Sequence, residues 1–254
     1  MILSKAKISS IDLFGLIDEN IRTGKSDEQL IIVPTNRKLR SLKKEIINNS
    51  PNQTSSVINI ETLSTLFTKI LEQLEQFISL SEAAASVFIK QSAEDINLNY
   101  FTNYRGSIPN GTLDRIKNVI SEYKKHGITP DVLRREAESL EKFEKLKALD
   151  IAGIYENYKE KTISINGFEI GDVYEKLLHY PEAEIFDVFT KLFPKVKLIV
   201  LIGFDQFTIP EINLIDRLSN FVLSNLYIDF DYYTFNPLIF SHLEETYKIL
   251  ESKG

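Results

Sequence analysis

The run Val196-Lys197-Leu198-Ile199-Val200-Leu201-Ile202-Gly203 carries one charged residue and otherwise reads as a strand buried on both faces. Such a strand has no solvent side, so helices must cover its sheet above and below. Leu30-Ile31-Ile32-Val33 is a second strand of this kind. It is closed by Pro34 and followed by a helix whose apolar residues Leu39, Leu42 and Ile46 recur at helical spacing. Met1 to Leu3, Val57 to Ile60 and Asn225 to Phe230 read as further strands, with helices over Ile11–Ile21, Pro210–Val222 and from Pro237 onward. The two ends of the chain therefore predict an α/β fold, a parallel sheet with helices on both faces.

Between Glu61 and about Phe193 the apolar period is that of helices: Leu63–Ile78, Ser81–Ile96, Thr112–Lys125, Leu140–Lys161, Ile170–Leu178 and Glu184–Leu192. Ser81 suits an N-cap. This order predicts one discontinuous α/β domain, residues 1–60 with 196–254, carrying an all-helical insertion subdomain over 61–195. The 254 residues leave room for both.

With no cysteine, the chain has no disulfide framework, thiolate metal site or cysteine nucleophile. No secretory leader or membrane-length apolar run is visible, so a soluble, cytoplasmic protein without membrane partners is expected. The net charge of −6 is unevenly spread. Residues 1–60 hold nine Lys/Arg against six Asp/Glu, and residues 205–254 hold three against eight. Nucleic acid would have to meet a local positive stripe.

That stripe is Arg37, Lys38 and Arg40, continued by Lys43 and Lys44. The first three lie in the opening turn of a helix, where free N–H groups and the dipole already favour an anion. On local features alone a solvated basic face of a helix packed on a sheet comes first, because short cationic runs are common.

Catalytic signals are sparse. A phosphate-gripping loop needs glycines and a terminal Gly-Lys-Ser/Thr, whereas Ser4 to Ser10 contains no glycine. Within it, Lys7 or Ser9 imitates single elements only. Gly24-Lys25-Ser26 follows a helix and reads as a C-cap turn. His126, His179 and His242 are scattered, and Asp229, Asp231, Tyr232 and Tyr233 read as a solvated acidic turn. Phe143, Leu146, Leu149, Tyr155 and Tyr158 have the spacing of a core stripe rather than a base-stacking platform. No catalytic residue, metal or cofactor is expected in this stretch.

Four segments, in order, resemble the N-terminal helicase-like region of the AddB/RexB subunit of bacterial ATP-dependent helicase–nucleases, relatives of the superfamily 1 UvrD/Rep helicases. Val33-Pro34-Thr35-Asn36-Arg37-Lys38 is similar to the DNA-contacting motif Ia. Ile58-Asn59-Ile60-Glu61-Thr62-Leu63-Ser64-Thr65-Leu66 is similar to motif Ib, and Ile116 to Pro130 to the family's helical insert. Leu201-Ile202-Gly203-Phe204-Asp205-Gln206-Phe207-Thr208-Ile209-Pro210-Glu211 resembles the family's Gly-Phe-x-x-Phe-Thr-x-x-Glu signature, located where helicases keep motif II.

The resemblance implies a P-loop-NTPase-like, helicase-like sheet whose nucleotide site is lost. The adjacent carboxylates of motif II would fall at Ile202 and Gly203, leaving Asp205 as a loop acid or N-cap. It also implies that the chain belongs to a longer ATP-dependent exonuclease subunit with a PD-(D/E)XK nuclease domain, the final segment Leu238–Leu250 having no evident terminal role. DNA, single-stranded or tailed duplex, would be held through its backbone in double-strand-break repair and recombination. Arg37, Lys38, Arg40, Lys43 and Lys44 would meet phosphates, while Thr35, Asn36, Thr62 and Ser64 would donate hydrogen bonds. The other partner implied is a helicase subunit of the AddA type. A scaffold that holds that helicase without touching DNA is the alternative, and an active nucleotide hydrolase is the least supported reading.

Overall fold

The computed structural model describes residues 2–4, 13–49, 58–103, 108–221, 225–230 and 237–253. They fall into two compact units, Met1–Leu74 with Leu177–Gly254, and Glu75–Lys176.

The first unit holds five strands, β1 (Ile2–Ser4), β2 (Gln29–Val33), β3 (Asn59–Thr62), and two from the end of the chain, Leu198–Phe204 and Asn225–Phe230. With a short pair in the second unit numbered β4 (Ile78–Ser79) and β5 (Gly167–Phe168), the last two are β6 and β7. The sheet order is β1-β7-β6-β2-β3, and every neighbouring pair is parallel. All five residues of β2 are buried. Ile31 and Val33 pack with Val200, Ile202 and Ile60 under α1 (Leu13–Arg22) and α2 (Asn36–Asn49), through Ile17, Leu42 and Ile46. Leu30 and Ile32, on the opposite face, are equally sealed at 0% exposure. The α/β expectation holds, and the unbroken apolar runs are its cause.

Gly24-Lys25-Ser26 closes α1. Gly24 sits at φ +75°, its N–H reaches Ile21 O at 3.2 Å, and Lys25 N–H reaches Asn20 O at 2.8 Å. This is the six-to-one, five-to-two pattern of a Schellman cap, which favours glycine at its left-handed position. At this same N-terminal end of the strands, Lys195 pairs with Asp27 at 2.8 Å and Lys197 with Glu28 at 3.1 Å. The Lys195 ammonium holds the Asp27 carboxyl below its usual range.

The unit boundaries differ from those read in the sequence, 60/61 and 195/196. Helices α3 (Leu63–Leu74) and Glu182–Leu192 pack on each other within the sheet-bearing unit, and Leu66, Phe67, Ile70 and Leu71 of α3 are buried there. Helical period reports that a face is covered, not which body covers it.

The second unit contains α4 (Glu82–Glu94), α5 (Asn110–Lys125), α6 (Pro130–Ala137), α7 (Lys142–Ser164) and most of α8 (Ile170–His179). Glu182–Leu192 is then α9, followed by α10 (Ile209–Phe221), α11 (Pro237–Phe240) and α12 (Glu244–Lys253). The core of the second unit joins Ile89, Ile120, Ile154, Tyr155 and Tyr158. Phe143 departs from the expected core stripe and is 74% exposed. Ser81 caps α4 as expected, accepting from Ala84 N at 3.2 Å.

Two acids organise this unit. Asp150, 4% exposed, accepts backbone N–H bonds from Asn99, Tyr100 and Phe101 at 2.8–3.2 Å and so fixes the turn they form. Lys124, at 5% exposure, reaches Glu169 at 2.8 Å and the second acid, Asp172, at 2.6 Å, with its ammonium 4.9 Å from the Tyr158 ring centre. Burial pushes the Asp172 carboxyl above its usual range, against the pull of Lys124. The helices meet tightly here: a Cβ on Gly171 would lie 2.6 Å from the Lys124 carbonyl carbon and 2.8 Å from Lys125 N.

Candidate nucleic-acid interface

Parallel pairing puts the C-terminal ends of β6, β2 and β3 side by side. Val33 is the Cα partner of Thr62, so the loop after β2 and the loop after β3 leave the sheet at the same edge. A right-handed helix begins from each, and the first turns of α2 and α3 therefore share that edge with the β6–α10 turn.

Thr35 starts α2. Its Oγ1 accepts from Lys38 N at 3.2 Å and its carbonyl from Leu39 N at 3.0 Å, the arrangement of an N-cap. With Leu42 and Ile46 turned into the core, Thr35, Asn36, Arg37, Lys38, Arg40, Lys43 and Lys44 are all exposed. Exposed Glu45 does not neutralise the stripe. No ion pair joins any of the five cations to another described residue, although ion pairs are plentiful elsewhere on the chain. The expected stripe therefore lies open beside the two loops.

The loop after β3 is closed on itself. Thr62 is 3% exposed, and its Oγ1 lies 2.9 Å from Ser64 Oγ and 3.0 Å from Thr65 Oγ1 while accepting from Thr65 N at 3.1 Å. Thr65 Oγ1 in turn accepts from Thr62 N at 2.9 Å and donates to Glu61 at 2.8 Å. Glu61 is also ion-paired with Lys69. Ser64, half-buried, is the member of this cluster expected from the sequence that still meets solvent; Thr62 is inside it.

The signature after β6 is a strand-to-helix turn, each letter with a physical use. Gly203 adopts φ +75° at a register shift between Leu201 and Phe204. Phe204 and Phe207 stack with ring centres 4.7 Å apart, and Phe207 meets Phe230 at 6.0 Å. Thr208 and Glu211 form a reciprocal capping box: Thr208 N donates to the Glu211 carboxylate at 2.8 Å and Glu211 N to Thr208 Oγ1 at 3.4 Å. Thr208, rather than Asp205, is thus the cap of α10, and Asp205 is an exposed loop acid. Sequence reasoning named these residues without seeing the capping box, although the Thr-x-x-Glu spacing carried it.

The first-strand loop, including Lys7 and Ser9, and the turn at Asp231, Tyr232 and Tyr233 lie outside the described residues. Asp229 is half-buried in β7. Among the described residues no cluster of three or more His, Cys, Asp or Glu forms a metal-holding group, and no helix is long and apolar enough to cross a membrane.

Two curated relatives, from Thermoanaerobacter sp. (strain X514) and Thermoanaerobacter pseudethanolicus (strain ATCC 33223 / 39E), are each named as the B-type subunit of an ATP-dependent helicase/deoxyribonuclease. Each is 28% identical over 150 residues, which is 57% of this chain and 13% of the relative's length. The model of the family described as "ADDB, N-terminal" matches residues 12–252, nearly the whole chain, and the chain belongs to that family.

Proposed function

We propose that this chain is the DNA-guiding, helicase-like region of an AddB-like helicase–nuclease subunit, acting in double-strand-break repair and recombination. The observation that carries this reading is the open cationic first turn of α2 beside the first turn of α3 on one sheet edge. Arg37, Lys38, Arg40 and Lys43 hold phosphates by charge, and Thr35 and Asn36 add hydrogen bonds at the helix N-terminus. Such contacts position a strand without reading its sequence. Thr62 belongs to the framework under the loop. The all-parallel sheet with helices after its strands supports a P-loop-type ancestry, and the missing glycine loop supports the loss of nucleotide hydrolysis. The curated relatives' name supports a parent protein with helicase and deoxyribonuclease partners, the helicase one being of the AddA type.

The alternative, a scaffold that holds a helicase subunit and never meets DNA, predicts a covered stripe. The unpaired α2 cations favour DNA. Fluorescence titration of labelled single-stranded and tailed duplex DNA at two salt concentrations tests the proposal. Replacing Arg37, Lys38 and Arg40 together with Glu abolishes binding on this reading; unchanged affinity ends it.

A further inference from the structure

We infer that Glu61 is a positioning residue that sets the direction of a hydroxyl-proton chain, so that Ser64 faces solvent as a hydrogen-bond acceptor and not as a donor to phosphate. The inference rests on the DNA-guiding reading and refines which loop takes phosphate.

Each hydroxyl in the chain has one proton, and an ionised carboxylate has none to give. At 2.8 Å from the Glu61 carboxylate, Thr65 Oγ1 is the donor. Its other acceptor is the Thr62 carbonyl oxygen at 3.1 Å, not the Thr62 hydroxyl. The 3.0 Å contact between the two threonine hydroxyls must then be supplied by Thr62. With the Thr62 proton committed, the 2.9 Å contact to Ser64 must be supplied by Ser64. The protons run Ser64 to Thr62 to Thr65 to Glu61, and what Ser64 turns outward is lone pairs. A phosphate oxygen opposite them is repelled. The group that suits them is a donor, the ring N–H or amine of an unpaired base.

Thr35, on the adjacent loop, is the opposite case. Its oxygen accepts from Lys38 N while its own proton has no acceptor among the described residues, so it can donate to phosphate. One sheet edge thus presents a donor loop with cations and an acceptor loop.

Lys69 makes the direction testable by a single isosteric change. In Glu61→Gln the ammonium of Lys69, a donor only, claims the amide oxygen, which leaves the amide nitrogen facing Thr65. Thr65 then donates to Thr62, Thr62 to Ser64, and Ser64 gains an outward proton.

The probe is a labelled strand of abasic nucleotides, whose only large polar groups are phosphates, titrated against the 254-residue protein. Glu61→Gln raises affinity about tenfold, the scale of one hydrogen bond to a charged group together with the lost carboxylate charge. Ser64→Ala alone leaves affinity unchanged, but it removes most of the gain when combined with Glu61→Gln. A gain that survives in the double variant comes from charge alone and overturns the inference. Neutron diffraction reads the same chain without DNA: the Ser64 deuteron points to Thr62 in the parent protein and to solvent in Glu61→Gln. A deuteron pointing to solvent in the parent overturns the inference directly. If no variant binds the strand, the DNA-guiding reading falls while the deuterons still decide the proton direction.

Discussion

The side chain of Lys38 passes over Gly203: a Cβ built on that glycine would lie 3.8 Å from Lys38 Cε. The first turn of α2 therefore meets the end of β6, at the place where the motif II resemblance would put a carboxylate. With glycine there, Lys38 has no internal counter-ion among the described residues and is left to meet an external anion.

Gly203→Asp tests that relationship. Asp tolerates the left-handed backbone better than most residues, and its carboxylate would lie beside Lys38. Weaker DNA binding is expected, with the slope of log affinity against log salt reduced by about 0.7 if one phosphate contact is lost. Fluorescence anisotropy across a salt series measures it.

Gly203→Ala separates backbone from space. The 3.8 Å clearance admits a methyl group, so the cost arises from φ +75°, about 1–2 kcal/mol for a side chain in that region. Urea unfolding should show a lower midpoint with an unchanged slope.

Arg217 of α10 ends α8 from outside, donating to Leu177 O at 2.9 Å, Leu178 O at 2.6 Å and Tyr180 O at 3.1 Å. Arg217→Ala leaves these carbonyls without their charged donor and should destabilise by about 1.5–3 kcal/mol. Arg217→Lys should recover only part, because an ammonium cannot reproduce the planar fork. Chemical unfolding of both variants checks the order.

Lys124→Met should cost about 3–5 kcal/mol at neutral pH, since it leaves the buried Asp172 and the half-buried Glu169 beside it without their cation. The pH dependence has a definite sign. Asp172 has a raised folded-state pKa, so the native state binds its proton more tightly than the unfolded chain does, and stability falls as pH rises through that window. Removing Lys124 takes away the attraction that opposes this. The variant should therefore lose least in acid, where Asp172 is neutral, and most at neutral pH. Unfolding measured at acid and neutral pH compares the two losses.

Much of the architecture was legible because apolar runs have few uses. Leu30–Val33 and Leu198–Ile202 had to be sealed on both faces, and Gly24 after a helix had to be a cap. Phe143 shows the limit: its spacing fits a core stripe, yet it sits in the first turn of α7, ahead of the region that packs. Ile78 read as the end of a helix, but two residues of parallel ladder with Gly167 and Phe168 took it instead. That pairing spans most of the second unit and has no local signal. The same holds for α3 and α9, whose periodicity was right and whose unit was not visible.

In the candidate site, residue types were readable and their states were not. The sequence by itself determined that cations follow β2, that hydroxyls follow β3 and that no glycine loop follows β1, because local chemistry and period are written in neighbouring residues. Only the tertiary structure decided that the two loops share an edge, that Thr62 is sealed beneath one of them, and that Lys38 lies over Gly203. Those facts depend on strand order and register, which bring together residues far apart in the chain.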